Sequence, residues 1–188
     1  MFFLFKLLGI FLIFLNNFNE THGSRCIIQN REYLEEYLFK SEEINGNLFF
    51  ASTATLYPFD EVKDLNKVKW ILLPNTDGTF YIKNEDKNNP FLCSSDILDP
   101  FKKRRPIYTS SNVGTHCKWK LTKVNGSSEE TEFYIRNVHY GEQLYAESFF
   151  FKSSLNKRNI YLWNDKKKLK KSNKFKWIIL CSELVDLL

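Results

Sequence analysis

The 188-residue chain carries 27 Lys and Arg against 22 Asp and Glu, a formal charge of +5. With 43% hydrophobic and 16% aromatic residues, it holds too many core-forming side chains for a disordered chain. A chain of this length makes one domain able to bury about 70% of its unfolded surface, and its mild basicity permits an acidic partner without requiring one.

Residues 1–23 read as a signal peptide. Leu7-Leu8-Gly9-Ile10-Phe11-Leu12-Ile13-Phe14-Leu15 is an apolar core behind Lys6, and Thr21-His22-Gly23 is a small-x-small cleavage site. The run is shorter than the roughly 20 apolar residues of a membrane span, so no transmembrane anchor is expected. The prediction is a secreted, extracellular protein beginning near Ser24, with one domain over 24–188.

From there the chain repeats itself three times. Cys26-Ile27-Ile28-Gln29-Asn30, Phe80-Tyr81-Ile82-Lys83-Asn84 and Phe133-Tyr134-Ile135-Arg136-Asn137 are answered by Val68-Lys69-Trp70, Cys117-Lys118-Trp119 and Phe175-Lys176-Trp177. The anchoring Asn residues stand 54 and 53 positions apart, giving repeats over about 26–75, 79–124 and 132–181. Each opening phrase alternates in the manner of a strand and runs into a turn cue, as in Asp86-Lys87-Asn88-Asn89-Pro90 and His139-Tyr140-Gly141-Glu142. The return strands are Phe91-Leu92-Cys93 and Gln143-Leu144-Tyr145-Ala146. Third strands are expected at Leu48-Phe49-Phe50-Ala51, Pro106-Ile107-Tyr108-Thr109 and Ile160-Tyr161-Leu162-Trp163, and the Lys-Trp phrases supply the fourth.

Asn30 to Leu38 could place Tyr33, Leu34, Tyr37 and Leu38 on one helical face, but its position in the repeat predicts strand and turn. Four strands taken three times, without sustained helical periodicity, predict an all-β closed architecture.

Four cysteines allow three pairings, and an oxidising compartment favours bridging. Cys26 opens the first repeat and Cys181 closes the last. If those strands are neighbours, Cys26 pairs with Cys181, leaving Cys93 with Cys117. The spacings match no zinc motif, and neither a metal nor a cofactor is expected.

The pattern F-Y-I-x-N, a turn, and then K-W-x-L some 35 to 40 residues later resembles a β-trefoil repeat of the ricin-B-like type. Its wording is similar to the trefoil domain of insect low-molecular-weight haemolymph lipoproteins and microvitellogenin, and to divergent mosquito salivary trefoils. The resemblance covers Cys26 to Cys181. It implies three four-stranded repeats, a pseudo-threefold six-stranded barrel of opening and Lys-Trp strands, and hairpins capping one end. Ile28, Ile82 and Ile135 would be equivalent core positions, as would Trp70, Trp119 and Trp177. Sugar-binding repeats of this type carry Gln two residues before the Trp, where this chain has Val68, Cys117 and Phe175. The lipoproteins' N-terminal helical domain is also missing, so the resemblance implies the fold and not their activities.

Catalytic residues are not expected. Beyond the leader the chain has two histidines, His116 and His139, neither beside a nucleophile in sequence; no phosphate loop, HExxH or GxSxG occurs. The candidate polyanion site is two basic runs, Lys102-Lys103-Arg104-Arg105 and Lys166-Lys167-Lys168-Leu169-Lys170-Lys171, extended by Lys174. Both are expected between third and fourth strands, in loops related by the threefold axis, where the first repeat carries Asp60-Glu61-Val62-Lys63-Asp64. Phe149, Phe150, Phe151 and Trp163 form a candidate aromatic patch, with Trp163 assigned to hairpin packing. Asn125-Gly126-Ser127 is a glycosylation sequon in a turn; Asn19-Glu20-Thr21 falls within the leader.

The expected function is a secreted, monomeric, non-catalytic protein engaging an acidic glycan or protein surface through basic loops. The resemblance suggests insect saliva or haemolymph as its source. Nucleic acid is not expected, because the lysine runs lack interleaved aromatics. The alternative is a protease inhibitor in the style of Kunitz trefoils, presenting Asn45-Gly46-Asn47 or the Ser148 to Arg158 stretch. A small apolar ligand is a third reading.

Overall fold

The computed structural model describes residues 23–41, 53–58, 63–86, 90–99, 103–126, 131–150, 158–163 and 172–182. The strands are β1 (Ser24–Asn30), β2 (Glu36–Ser41), β3 (Thr53–Pro58), β4 (Lys69–Pro74), β5 (Phe80–Asn84), β6 (Phe91–Ser94), β7 (Arg104–Ser110), β8 (Lys118–Lys123), β9 (Glu132–Asn137), β10 (Gln143–Phe150), β11 (Arg158–Trp163) and β12 (Lys176–Cys181). The third strand of the first repeat is β3, later than the Leu48 to Ala51 phrase expected for it; that phrase lies outside the described residues. The stretch from Asn30 resolves as turn and strand, with Tyr33 N–H donating to Asn30 O and Glu36 N–H to Tyr33 O.

Antiparallel pairing runs from β1 to β4, β5, β8, β9, β12 and back to β1. The ladder closes on itself, leaving these six strands without an open edge. The remaining strands make hairpins β2–β3, β6–β7 and β10–β11, and their second strands pair among themselves at one end. The architecture is an all-β, trefoil-like barrel with additional strands.

Period-2 alternation decides what enters the barrel. In β5, Phe80, Ile82 and Asn84 are buried while Tyr81 and Lys83 face out. Ile28, Ile82 and Ile135 are fully buried, as are Trp70, Trp119 and Trp177. A buried indole needs an acceptor, and each finds one on a hairpin strand: Trp70 donates to Leu38 O (2.8 Å), Trp119 to Leu92 O (2.8 Å) and Trp177 to Leu144 O (3.1 Å). Barrel and cap are thus tied at three corresponding points.

The repeating Asn does the complementary work. A short 3-10 turn, at Leu65–Lys67, Thr115–Cys117 and Asn173–Phe175, leads into each Lys-Trp strand. The buried Asn of the neighbouring repeat donates to carbonyls there: Asn84 to Lys67 and Lys69, Asn137 to His116, Asn30 to Lys174 and Lys176. Each Asn Oδ1 accepts the N–H two residues ahead, from Asp86, His139 and Glu32. The spacing of Asn and Lys-Trp therefore records a contact between successive repeats.

The disulfides are Cys26–Cys181 and Cys93–Cys117. Cys26 and Cys181 face each other in the β1–β12 register, and Cys117 stands two residues before Trp119, where sugar-binding repeats have Gln. Phe175 and Val68, at the matching places, are buried as well.

Two outcomes follow. Asn137→Ala takes the side-chain acceptor from the N–H groups of His139 and Tyr140 and leaves His116 O with Ser94 Oγ alone, and should cost about 1–2 kcal/mol in urea unfolding, the scale of lost hydrogen bonds at a partly buried turn. Replacing Cys26 and Cys181 by Ser should cost more than replacing Cys93 and Cys117, because the closed loops span 155 and 24 residues. The chain-entropy relation gives about 5 against about 3.5 kcal/mol; equal losses would show that loop closure is not the source.

Candidate functional site

A ring of polar and aromatic side chains forms where the second and third repeats meet. After β6 the chain turns at Ser95, whose Oγ accepts from Ile97 N–H, and this turn presents Asp96. The Asp96 carboxylate accepts from the Tyr140 hydroxyl. Tyr140 is set by its backbone N–H on Asn137 Oδ1 (3.2 Å) and meets the edge of His139 at 4.5 Å between centroids. His139 Nδ1 lies 3.1 Å from Thr115 Oγ1. Next in the chain, His116 stacks over Tyr108 at 6.3 Å between centroids.

Backbone details hold the ring in place. His116 packs against Gly114: a Cβ there would fall 2.6 Å from the imidazole and turn it aside. Gly141, at φ +66°, turns the chain after Tyr140 and leaves room for Arg136, whose Nε donates to Gly141 O (2.9 Å). Arg105 supports Tyr140 from below. Its guanidinium lies 3.9 Å from the ring centroid, donates to Asp96 O (2.8 Å) and pairs with Glu142 at 3.2 Å. The corresponding Arg158 of β11 repeats this clamp on the first repeat, stacked 3.6 Å over Tyr33 and bidentate to Glu36.

The ring is electrostatically graded. Burial and the hydrogen bond to Asp96 push the Tyr140 phenol up to about 12, although Arg105 opposes them. Burial first, then Asp96, also raises Tyr108, and burial raises Glu142 against the pull of Arg105. The ring consequently offers neutral hydroxyls, one carboxylate and two imidazoles. Exposed Ile97 and Val138 adjoin its members in sequence, and exposed Val113 lies two residues before Thr115. This mixture can grip a polyhydroxylated ligand by hydrogen bonds and apolar faces.

The basic runs are placed differently from expectation. Lys103 lies in the turn between the second and third strands of its repeat and Arg104 opens the third, whereas residues 166–171 follow the third in sequence, so the two runs do not stand at equivalent places in their repeats. Arg104 and Arg105 are not loop residues: they open β7. Arg104 is buried, pairs with Glu147 at 2.6 Å and lies 4.4 Å from the Tyr161 centroid. Its charge and that of Arg105 are already met inside the protein. Lys103 is exposed, at φ 52° in the turn before β7. Lys102, Lys166, Lys167, Lys168, Lys170 and Lys171 lie outside the described residues, as do Phe151, the side chains of Phe149 and Phe150, and the Asn45 to Asn47 loop.

Trp163 packs edge-on against Tyr145 at 4.8 Å and tilts over Phe175, as a hairpin-packing residue should. Asn125 is exposed in a turn. Cys93, His116 and Cys117 bring three potential metal-ligand atoms within 4.8 Å of one another, but both sulfurs are committed to the disulfide. No helix among the described residues is long and apolar enough to cross a membrane. The ring was missed in sequence because its members come from four separate segments; the turn cue at His139-Tyr140-Gly141 was its one visible sign.

Several solved structures share this architecture. An SDF2-like protein from Arabidopsis thaliana superposes with a TM-score of 0.66 at 16% identity, covering 85% of this chain and 93% of the other. A Polyporus squamosus lectin bound to a sialylated trisaccharide epitope gives 0.60 at 13% identity, covering 84% and 48%. SeviL bound to the asialo-GM1 saccharide gives 0.56 at 16% identity, covering 86% and 99%. These likenesses establish a trefoil fold of the kind found in lectins. No protein-family model and no curated protein matches the chain in sequence.

The ring's electrostatics can be checked directly. In an ultraviolet titration Tyr140 should ionise near pH 12, two units above free tyrosine. Asp96→Asn should lower that midpoint, by removing the charge that opposes ionisation, without returning it fully to 10 because burial persists. A folded pKa raised this way contributes stability that is present below pH 10 and is lost as pH rises through 12.

Proposed function

We propose that this chain is a non-catalytic carbohydrate-binding protein, built as a three-repeat β-trefoil and exported through an oxidising compartment. The observation that carries the reading is the ring of Asp96, Tyr140, His139, Thr115, His116 and Tyr108. Sugars are recognised by charged and neutral hydrogen-bonding groups set beside flat aromatic faces, and the ring combines both on elements fixed by buried Asn137 and the Cys93–Cys117 bridge. The fold's occurrence in two saccharide-bound proteins, one of them a lectin, supports the same class of partner. Two disulfides support export, because such bridges persist outside reducing compartments.

The site differs in chemistry from ricin-type sugar sites. The Gln expected two residues before Trp119 is replaced by disulfide-bonded Cys117, so ligand contacts fall to Asp96 and Tyr140. We assign the glycan an acidic character, in keeping with the +5 charge.

Binding of the purified protein to a mixed array of neutral and acidic glycans tests the reading. A discrete set of oligosaccharides should bind. Asp96→Asn and Tyr140→Phe should each weaken that set at least tenfold, the scale of one hydrogen bond to a charged group, with unfolding midpoints little changed. A blank array, or variants that bind like the parent, would overturn it.

A further inference from the structure

The barrel wall below the ring breaks the threefold pattern at one place. Where successive repeats join, one outward pair stands directly opposed across two strands. In β4–β5 it is Ile71 and Lys83, and in β12–β1 it is Ile178 and Gln29. In β8–β9 it is Lys120 and Arg136. Like charges directly opposed on one face destabilise a sheet. The fold does not demand them, since its two equivalent junctions hold at most one cation.

Nothing acidic on the described wall relieves the pair. Lys120 and Arg136 are both exposed, and among the described residues no carboxylate pairs with either. The nearby acids are engaged elsewhere: Asp77 with Lys118 at 3.2 Å and Glu132, buried, with Arg31 at 2.6 Å. Lys176 extends the cationic tile across Tyr134, which it directly opposes in β12–β9. The tile also reaches the ring, because Arg136 donates to Gly141 O beside Tyr140.

We infer that the β8–β9 wall is a second binding surface, taking the anionic ester or carboxylate groups of an acidic glycan whose adjoining sugar occupies the ring. Lys120, Arg136 and Lys176 face the anions, and Tyr134, opposite Lys176 and two residues before Arg136, shares their face. This rests on the carbohydrate reading for the class of chain, while the charge argument stands on the wall alone. The opposed cations are a standing cost in the free protein that a bound polyanion relieves. None of these three cations belongs in sequence to the runs at 102–105 and 166–171.

The probe is a size-defined, fully sulfated heparin oligosaccharide, titrated at two salt concentrations, beside a neutral glycan that the array identifies. The parent should bind the heparin fragment with a steep salt dependence. Lys120→Gln with Lys176→Gln should weaken it at least tenfold and flatten the salt slope, leaving the neutral glycan unaffected; Lys83→Gln at the equivalent junction should change neither. Lys120→Ile, the residue type of the other two junctions, should raise the melting midpoint while weakening heparin. Unchanged heparin binding in the double variant, or tighter capture of duplex DNA of matched charge through the same residues, would overturn the inference. If the neutral glycan still binds and responds to Tyr140→Phe, only this inference falls; if neither probe binds, the carbohydrate reading falls with it.

Discussion

Three tryptophans that cannot be buried without an acceptor set the terms of this structure. Each indole must enter the barrel to fill it, and each N–H must then find a carbonyl inside. The carbonyls that serve belong to Leu38, Leu92 and Leu144 on the hairpins. The cap is therefore held by the same side chains that fill the core. From this constraint follow the length of each repeat, the burial of the leucines, and the 3-10 turn that delivers every Lys-Trp strand to its place. The Asn contacts then fix the angle at which one repeat meets the next.

Much of this was written in the chain. A threefold recurrence of Asn and Trp is a statement about geometry, because both residues occupy positions where no other side chain makes the same bonds. The cysteine pairing also followed once the first and last strands were placed side by side. The boundaries that failed, such as the third strand of the first repeat, fall where neither residue recurs. There the sequence offers only β propensity, which several neighbouring registers satisfy equally.

The candidate site was far less legible. A run reading Lys-Lys-Arg-Arg looks the same whether its charges face water or are neutralised by partners 43 and 37 residues away, as Arg104 is by Glu147 and Arg105 by Glu142. Likewise, Asp96, Tyr108, His116 and Tyr140 carry no shared spacing; they converge because β7, the turn before β8 and the turn after β9 meet at a repeat boundary. The opposed pair at Lys120 and Arg136 needed a register to become visible. Repetition in a sequence reveals what the fold requires, and departures from it become informative only after the equivalences are known.

The Cys26–Cys181 bridge has a topological consequence. With β1 and β12 hydrogen-bonded along their length and covalently joined, the chain from Cys26 to Cys181 behaves as a circle of three units rather than a line with two ends. No repeat is terminal in the mechanical sense, and tension applied at either end is borne by the bridge before it reaches the barrel ladder. The boundary carrying the ring is interior to that circle, separated from the β12–β1 junction by the single pairing of β9 with β12.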